Sequence, residues 1–169
     1  TTTQSLSDDA VHDMEEDDQH RLWMTTGHGL NCLDLNTGVF SKYFVPEKTE
    51  AANRLYSLCI QGEHIFIATE YGLQEFNTKE RRFTLYKVPS GRAGDQHMVK
   101  LLADSKKRIW IGTYSGLWQF DPARKTFIPR SFSAEELITD IYEDHRGDIW
   151  AGTWDKGLQK IDPQAGRLV

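Results

Sequence analysis

The side chains best suited to hold a ligand sit just ahead of four Gly–Leu pairs: His28, Tyr71, Tyr114 and Trp154. A ring at each place can stack on the apolar face of a sugar, while Arg92, Asp95, His97, Glu135 and Lys156 nearby can bond its hydroxyls. This is recognition chemistry, in which no covalent bond forms or breaks. The same rings also suit a packing role, each covering a neighbouring repeat of the chain, because a repeated aromatic is commonly a core group. Both readings stay open for the single residue. As a set, the loops that carry these rings are the candidate site, since binding groups concentrate on loops held by a rigid scaffold.

Other chemistries find less support. The acidic run of Asp8, Asp9, Asp13, Glu15, Glu16, Asp17 and Asp18 puts Asp13, Glu15 and Asp17 on one side of a strand but lacks the glycine of a calcium loop. It reads as a solvated entry segment, and no metal is assigned. Cys32 and Cys59 lack metal-ligand spacing and read as two buried thiols on neighbouring strands rather than a disulfide. His20, His64 and His145 fall in turns, where exposure is the natural state. Ser, His and Asp are present without a nucleophile signature, so neither a catalytic residue nor a cofactor is assigned.

Composition narrows the partners. A formal charge of -5 and a pI near 5.7 give no field that attracts nucleic acid. No run reaches the roughly 18 apolar residues of a membrane span, so direct membrane insertion is not expected. Thr1 to Ser5 has neither the basic nor the apolar part of a signal peptide.

The elements that must position the rings are written four times. Arg108-Ile109-Trp110-Ile111-Gly112-Thr113-Tyr114-Ser115-Gly116-Leu117 has counterparts beginning at Arg21, His64 and Asp148, the last one residue longer. The aromatics Trp23, Phe66, Trp110 and Trp150 are spaced by 43, 44 and 40 residues, in the range of propeller blades. Each repeat divides into four strand-length pieces of four to six apolar-rich residues, rich in Ile, Val, Phe and Trp and bounded by turn residues, with no sustained helical stripe. Asp121-Pro122, Asp162-Pro163 and Asn36-Thr37-Gly38 predict tight turns between the third and fourth pieces. In the second piece Ile109 and Ile111 face one side and Trp110 the other, as in a sheet packed between two neighbours. The small residue two places on, Thr25, Ala68, Gly112 or Gly152, predicts close packing between adjacent sheets. The four aromatics, with Thr26, Thr69, Thr113 and Thr153, are therefore structural anchors.

The fold class is all-β, a propeller of four-stranded antiparallel blades. A single segment spans 1–169, with blades over about 11–45, 54–88, 98–132 and 138–169, the last lacking most of its outer strand. Strand alternation puts the ring-bearing tips on one face with the connections 46–53, 89–97 and 133–137, and the tight turns on the other. Either Thr2 to Leu6 supplies the missing strand and four blades close, or the chain is an open arc of a larger propeller. The arc is the expectation. Exposed end faces would then pair with further blades or with a second copy of the chain.

At these residues the chain resembles the two-component regulator propeller repeat: an acidic residue, a turn, Ile-Trp-(Ile/Val)-Gly-Thr, a short loop, Gly-Leu, and an aromatic before Asp. Asp144 to Thr153, with Gly157-Leu158 and Ile161-Asp162, matches almost throughout, and Asp104 to Asp121 fits as well. The first copy departs at Met24-Thr25; the second uses Gln61, Phe66 and Ala68 and is the weakest. The resemblance implies the periplasmic sensor region of a hybrid two-component regulator of Bacteroides-like bacteria, which sense glycans with many more than four blades. It implies an input module with an oligosaccharide or peptide ligand, and no kinase chemistry within this chain. A structural interaction propeller is the first alternative. A propeller lyase or lactonase is the second, since related aromatic-Gly-Thr strands occur in such enzymes.

Overall fold

The computed structural model describes residues 5–46, 49–130, 136–162 and 167–168. Four antiparallel sheets follow one another along the chain, each an up-and-down meander. Blade 1 is β1 (Val11–Glu16), β2 (Arg21–Thr26), β3 (Gly29–Asp34) and β4 (Phe40–Tyr43). Blade 2 is β5 (Leu55–Gln61), β6 (His64–Thr69), β7 (Gly72–Asn77) and β8 (Arg82–Tyr86). Blade 3 is β9 (Met98–Ala103), β10 (Ile109–Thr113), β11 (Gly116–Asp121) and β12 (Thr126–Pro129). Blade 4 is β13 (Ile138–Glu143), β14 (Ile149–Thr153), β15 (Leu158–Asp162) and the two-residue β16 (Arg167–Leu168). The connections into blades 2 and 3 each contain one helical turn that the apolar pattern does not announce, α1 (Glu50–Asn53) and α2 (Ala93–Gln96). First strands of consecutive blades are neighbours, and among the described residues the four sheets do not close into a ring. Ser5 and Leu6 form no strand on blade 4, whose outer strand is β16; Thr2 to Gln4 lie outside the described residues.

Local chemistry sets the turns. Asp34, Asn77 and Asp121 each accept two backbone N–H bonds through Oδ1 from the residues two and three places on, closing the third turn of each of the first three blades. In the first turn the chain needs a left-handed residue. His20, Gly62, Lys107 and Gly147 occupy it with φ of 58°, 62°, 61° and 81°, and glycine meets that demand without strain.

An acid holds the central aromatic. Asp17, Asp104 and Asp144 accept the indole N–H of Trp23, Trp110 and Trp150 at 2.7, 2.9 and 2.9 Å. Arg21 and Arg108 close the same carboxylates through Nε at 2.7 and 2.6 Å. Burial opposes ionisation of Asp17, yet the bonds from Arg21 and Trp23 outweigh it and hold its carboxyl below the usual range. In blade 2 both partners change together: Gln61 stands in place of the acid and Phe66 has no N–H to satisfy.

Each second strand carries its central aromatic on one face and two aliphatic residues or methionine on the other, and the chain stacks the first face on the second three times; Phe76, Trp118 and Phe120 of the neighbouring third strands share that second face. Trp23 and Leu30 of blade 1 meet Leu55, Leu58, Ile65 and Ile67 of blade 2. Phe66 and Leu73 of blade 2 meet Met98, Leu101, Ile109 and Ile111 of blade 3. Trp110 and Leu117 of blade 3 meet Ile138, Ile141, Ile149 and Ala151 of blade 4. The small-residue position explains the fit: a Cβ on Gly112 would lie 2.9 Å from Ile138 Cγ2, so only glycine lets these sheets approach. Cys32 and Cys59 are free, buried thiols in two different blade interfaces. Burial drives the Cys32 pKa up to about 11, and Cys59 rises further for the same reason, so both are inert packing groups.

Trp110 is wholly buried, so Trp110→Ala is expected to lose about 3 to 5 kcal/mol of stability. Thermal unfolding followed by circular dichroism checks this, and a variant that melts within a few degrees of the parent contradicts the placement.

Candidate functional site

The second-to-third-strand loops share one internal clamp. The hydroxyls of Thr26, Thr69, Thr113 and Thr153 donate to the carbonyls of Gly29, Gly72, Gly116 and Gly157 at 2.8 to 2.9 Å. The same oxygens accept the backbone N–H of His28, Tyr71, Ser115 and Lys156 at 3.0 to 3.2 Å. Each loop thus presents distinct side-chain positions. The residue directly after the threonine is Gly27, Glu70, Tyr114 or Trp154, and the next is His28, Tyr71, Ser115 or Asp155.

These two positions look in different directions. Gly27, Tyr114 and Trp154 donate their N–H groups to Ala10, His97 and Leu137, the residues just before each first strand, which ties the first position to the inner edge. His28 instead packs on Phe44 at a ring separation of 5.3 Å, and Lys87 Nζ lies 3.3 Å over the Tyr71 ring, both beside the outer strand. The rings aligned by type in the sequence therefore fall into an inner pair, Tyr114 and Trp154, and an outer pair, His28 and Tyr71.

The inner edge is built by a β-bulge in every first strand. The register shifts between Val11 and Asp13, between Leu55 and Ser57, and between Ile138 and Asp140; in β9 Met98 and Lys100 flank the same shift. Each bulge leaves one residue out of the ladder and re-aims it, giving His12, Tyr56, Val99 and Thr139. His12 and Tyr56 join His97 and Tyr114 in one ring column. Successive ring centroids lie 5.6, 5.7 and 3.8 Å apart, with interplanar angles of 16°, 27° and 10°. His12 Nδ1 is 2.7 Å from the Leu55 carbonyl, which fixes the blade 1 end of the column.

Glu70 is the polar centre of this column. It accepts the Tyr56 hydroxyl, meets Arg54 Nη1 at 3.3 Å, and lies 4.0 Å from His97 Nε2. The Tyr56 bond is the largest influence on its carboxyl and, with Arg54, holds it below the ordinary range despite partial burial. Burial, then Glu70, pushes the Tyr56 hydroxyl up, and burial pushes His97 down against the opposing pull of Glu70. The site therefore holds a carboxylate, a guanidinium, a neutral imidazole and a phenol donor at neutral pH, flanked by the half-exposed Tyr114 ring and the exposed Trp154 ring. Such a set hydrogen-bonds hydroxyls and offers ring surface for stacking.

Arg92 and Asp95 have a different setting. Asp95 is fully buried and accepts Arg92 Nε at 2.8 Å, Trp118 Nε1 at 3.1 Å and the Ser90 hydroxyl, fastening the connection into blade 3. Glu136 and Ser7 play the equivalent part: Gln159 donates to Glu136 at 2.5 Å, and Asn31 Nδ2 donates to Ser7 Oγ at 2.8 Å. Glu135 lies outside the described residues. His12 and Tyr56 were hidden in the sequence because a bulge position has no residue-type signature, and Glu70 and Arg54 because neither carries the ring that marks the other tips; only the repeat register exposes them. Among the described residues no group of three or more His, Cys, Asp and Glu is placed to hold a metal. A concavity of about 520 Å³ opens on the tight-turn face between Gln61, Lys106 and Arg124, but it is shallow, and the arginines lining it pair with their own acids, Asp104 and Asp121.

A family model described as two component regulator propeller matches residues 133–155. No curated protein matches the sequence. Among solved structures, the extracellular domain assigned to the hybrid two component system BT4673 of B. thetaiotaomicron is 17% identical with a TM-score of 0.76, over 99% of this chain and 23% of that one. The corresponding domain of BT3049 from the same organism is 21% identical with a TM-score of 0.67, over 98% and 30%. Virginiamycin B lyase from Staphylococcus aureus is 12% identical with a TM-score of 0.79, over 96% and 56%. The chain thus spans about a quarter of the length of the first of these and little more than half of the last. Such identities establish the propeller fold and nothing finer.

The lowered His97 sets a pH dependence. Its folded pKa lies below the unfolded value of 6.5, so the unfolded chain takes up the proton more readily. Stability is greatest above that value and is lost as pH falls through it towards the folded pKa. Melting temperature measured from pH 7.5 to 5 is expected to fall more steeply for the parent than for His97→Asn. Parallel curves for the two contradict a desolvated imidazole.

Proposed function

We propose that this chain, an array of two component regulator propeller repeats, is a non-enzymatic binding module of an extracytoplasmic sensor. In this reading it lies in the periplasm and recognises a glycan. The convergence of His12, Tyr56, His97 and Tyr114 on the Glu70–Arg54 pair carries the reading. The column spans the inner edges of three consecutive blades, so a ligand that contacts Tyr114, Glu70 and His12 touches all three at once. Small changes in blade spacing then accompany binding, which is how a rigid repeat array passes a signal to a partner domain. The extracellular origin of the BT4673 and BT3049 domains supports the same reading. The carboxylate and guanidinium favour a ligand with hydroxyl pairs, because each can engage two adjacent hydroxyls.

The likeness to virginiamycin B lyase gives a specific reason to test the enzymatic alternative. Isothermal titration calorimetry against a panel of neutral and acidic oligosaccharides is expected to give binding that weakens about tenfold or more in Tyr114→Ala, as for loss of a stacking ring. Glu70→Gln is expected to weaken the same ligand. Absence of binding across the panel, with capture of a protein partner instead, supports an interaction propeller and contradicts the glycan reading. Metal-dependent turnover abolished by chelation contradicts the non-enzymatic one.

A further inference from the structure

Blade 2 lacks a cation that each other blade lays over its central aromatic. Arg21, Arg108 and Lys160 lie 5.1, 5.4 and 5.7 Å from the ring centres of Trp23, Trp110 and Trp150, and each pairs with a carboxylate, Asp17, Asp104 or Asp148. The counterpart of Arg21 and Arg108 in blade 2 is His64, whose Nδ1 turns to Glu75 at 2.5 Å, and among the described residues no cation lies over Phe66. A pocket of about 220 Å³ opens there instead, between blades 2 and 3 on the tight-turn face, lined by Gln61, His64, Phe66, Glu75, Pro122 and Lys125. The carboxylate and the aromatic wall are present, and the cation is missing.

The fold fixes the polar atoms of this pocket. Glu75 stands opposite Phe66 in the β6–β7 ladder and accepts the Tyr86 hydroxyl at 2.6 Å as well as the His64 bond, one on each oxygen, so each oxygen keeps a lone pair. Burial, then Glu75, pushes the Tyr86 hydroxyl up, which keeps it a donor at neutral pH. Gln61 gives an amide N–H to the Lys107 carbonyl at 3.0 Å, which leaves its Oε1 to accept. With Nδ1 donating to Glu75, His64 Nε2 is a further acceptor. Lys125 supplies the opposite charge: its Nζ lies 5.9 Å from the Tyr86 ring centre and makes no ion pair among the described residues. We propose that this pocket binds a free α-amino acid, with its ammonium over Phe66 and against Glu75, its carboxylate on Lys125 and its side chain towards Pro122. A primary ammonium brings three N–H donors, which Glu75, Gln61 and His64 can accept together. It restores to blade 2 the set of carboxylate, cation and ring that the other three blades hold, and Lys125 selects a zwitterion over a bare amine. The pocket lies on the opposite face from the ring column and is independent of it.

Isothermal titration calorimetry of the 169-residue chain with free glycine, alanine, valine and leucine, their decarboxylated amines and their deaminated acids is the test. The expected result is saturable binding of at least one of these amino acids below about 10 mM, with the matching amine and acid weaker by about tenfold or more. Glu75→Gln and Lys125→Met are each expected to weaken that amino acid about tenfold or more while keeping the parent circular dichroism spectrum. A triple variant, Gln61→Asp with His64→Arg and Phe66→Trp, gives blade 2 the residues of blades 1 and 3. It is expected to melt no lower than the parent and to bind no amino acid, because its own guanidinium fills the pocket. If the triple variant unfolds, the two single variants decide the case. No binding by the parent chain across the panel overturns the proposal, as does undiminished binding in the folded triple variant or in both single variants. An amine that binds as tightly as its amino acid overturns the selection of a zwitterion by Lys125.

Discussion

The stacking of one blade's central-aromatic face on the Ile-bearing face of the next is the interaction on which everything else here depends. No single blade encloses its own core: a four-stranded meander of this size has two apolar faces and cannot bury either alone. Trp23, Phe66 and Trp110 are therefore covered by the next blade along, through contacts such as Gly112 against Ile138. Around each of Trp23, Trp110 and Trp150, an acid ties the indole to the first turn of its own sheet, and for Trp23 and Trp110 the next blade covers the other side. Blade spacing follows from the volume of these rings and the absence of a side chain at Gly112. The tips and bulges that form the candidate site inherit that spacing directly.

Much of this was legible in the chain because both faces of the second strand announce themselves. Ile109 and Ile111 against Trp110 state two buried faces, the aromatic spacing states the repeat, and the Asp and Asn residues of the third turn state where strands end. The single turns α1 and α2 were not legible, since four residues carry no periodicity and neither turn has a side-chain cap. The role of the repeated threonine was only half visible. Strand propensity accounts for its presence, but its hydroxyl closes the following loop from both sides, which depends on the two-residue spacing to glycine rather than on the strand.

The candidate site shows why residue type is a poor guide to position at a loop tip. His28, Tyr71, Tyr114 and Trp154 look equivalent as rings, yet contacts with Phe44 and Lys87 place the first two beside the outer strand, and backbone hydrogen bonds place the last two at the inner edge, with Glu70 as the blade 2 counterpart of Tyr114. The residues that complete the inner set, His12, Tyr56 and Arg54, sit at and beside the bulges, where the chain departs from its own alternation. A bulge costs ladder hydrogen bonds and is retained where it aims a side chain, and here it aims His12 and Tyr56 into one column. The scaffold repeats, and the differences between copies are gathered on one rim.

The central claim is that each blade gains its stability from the blade that covers it. Native-state hydrogen exchange, read strand by strand, tests it most directly, because β10 packs between two neighbouring blades and β14 against one. The amides of β10, enclosed between two neighbours, are expected to exchange at the rate of global unfolding, and those of β14 about tenfold faster or more. Equal protection of β14 and β10 would contradict the account, since a blade with one bare face would then be as stable as one packed on both sides.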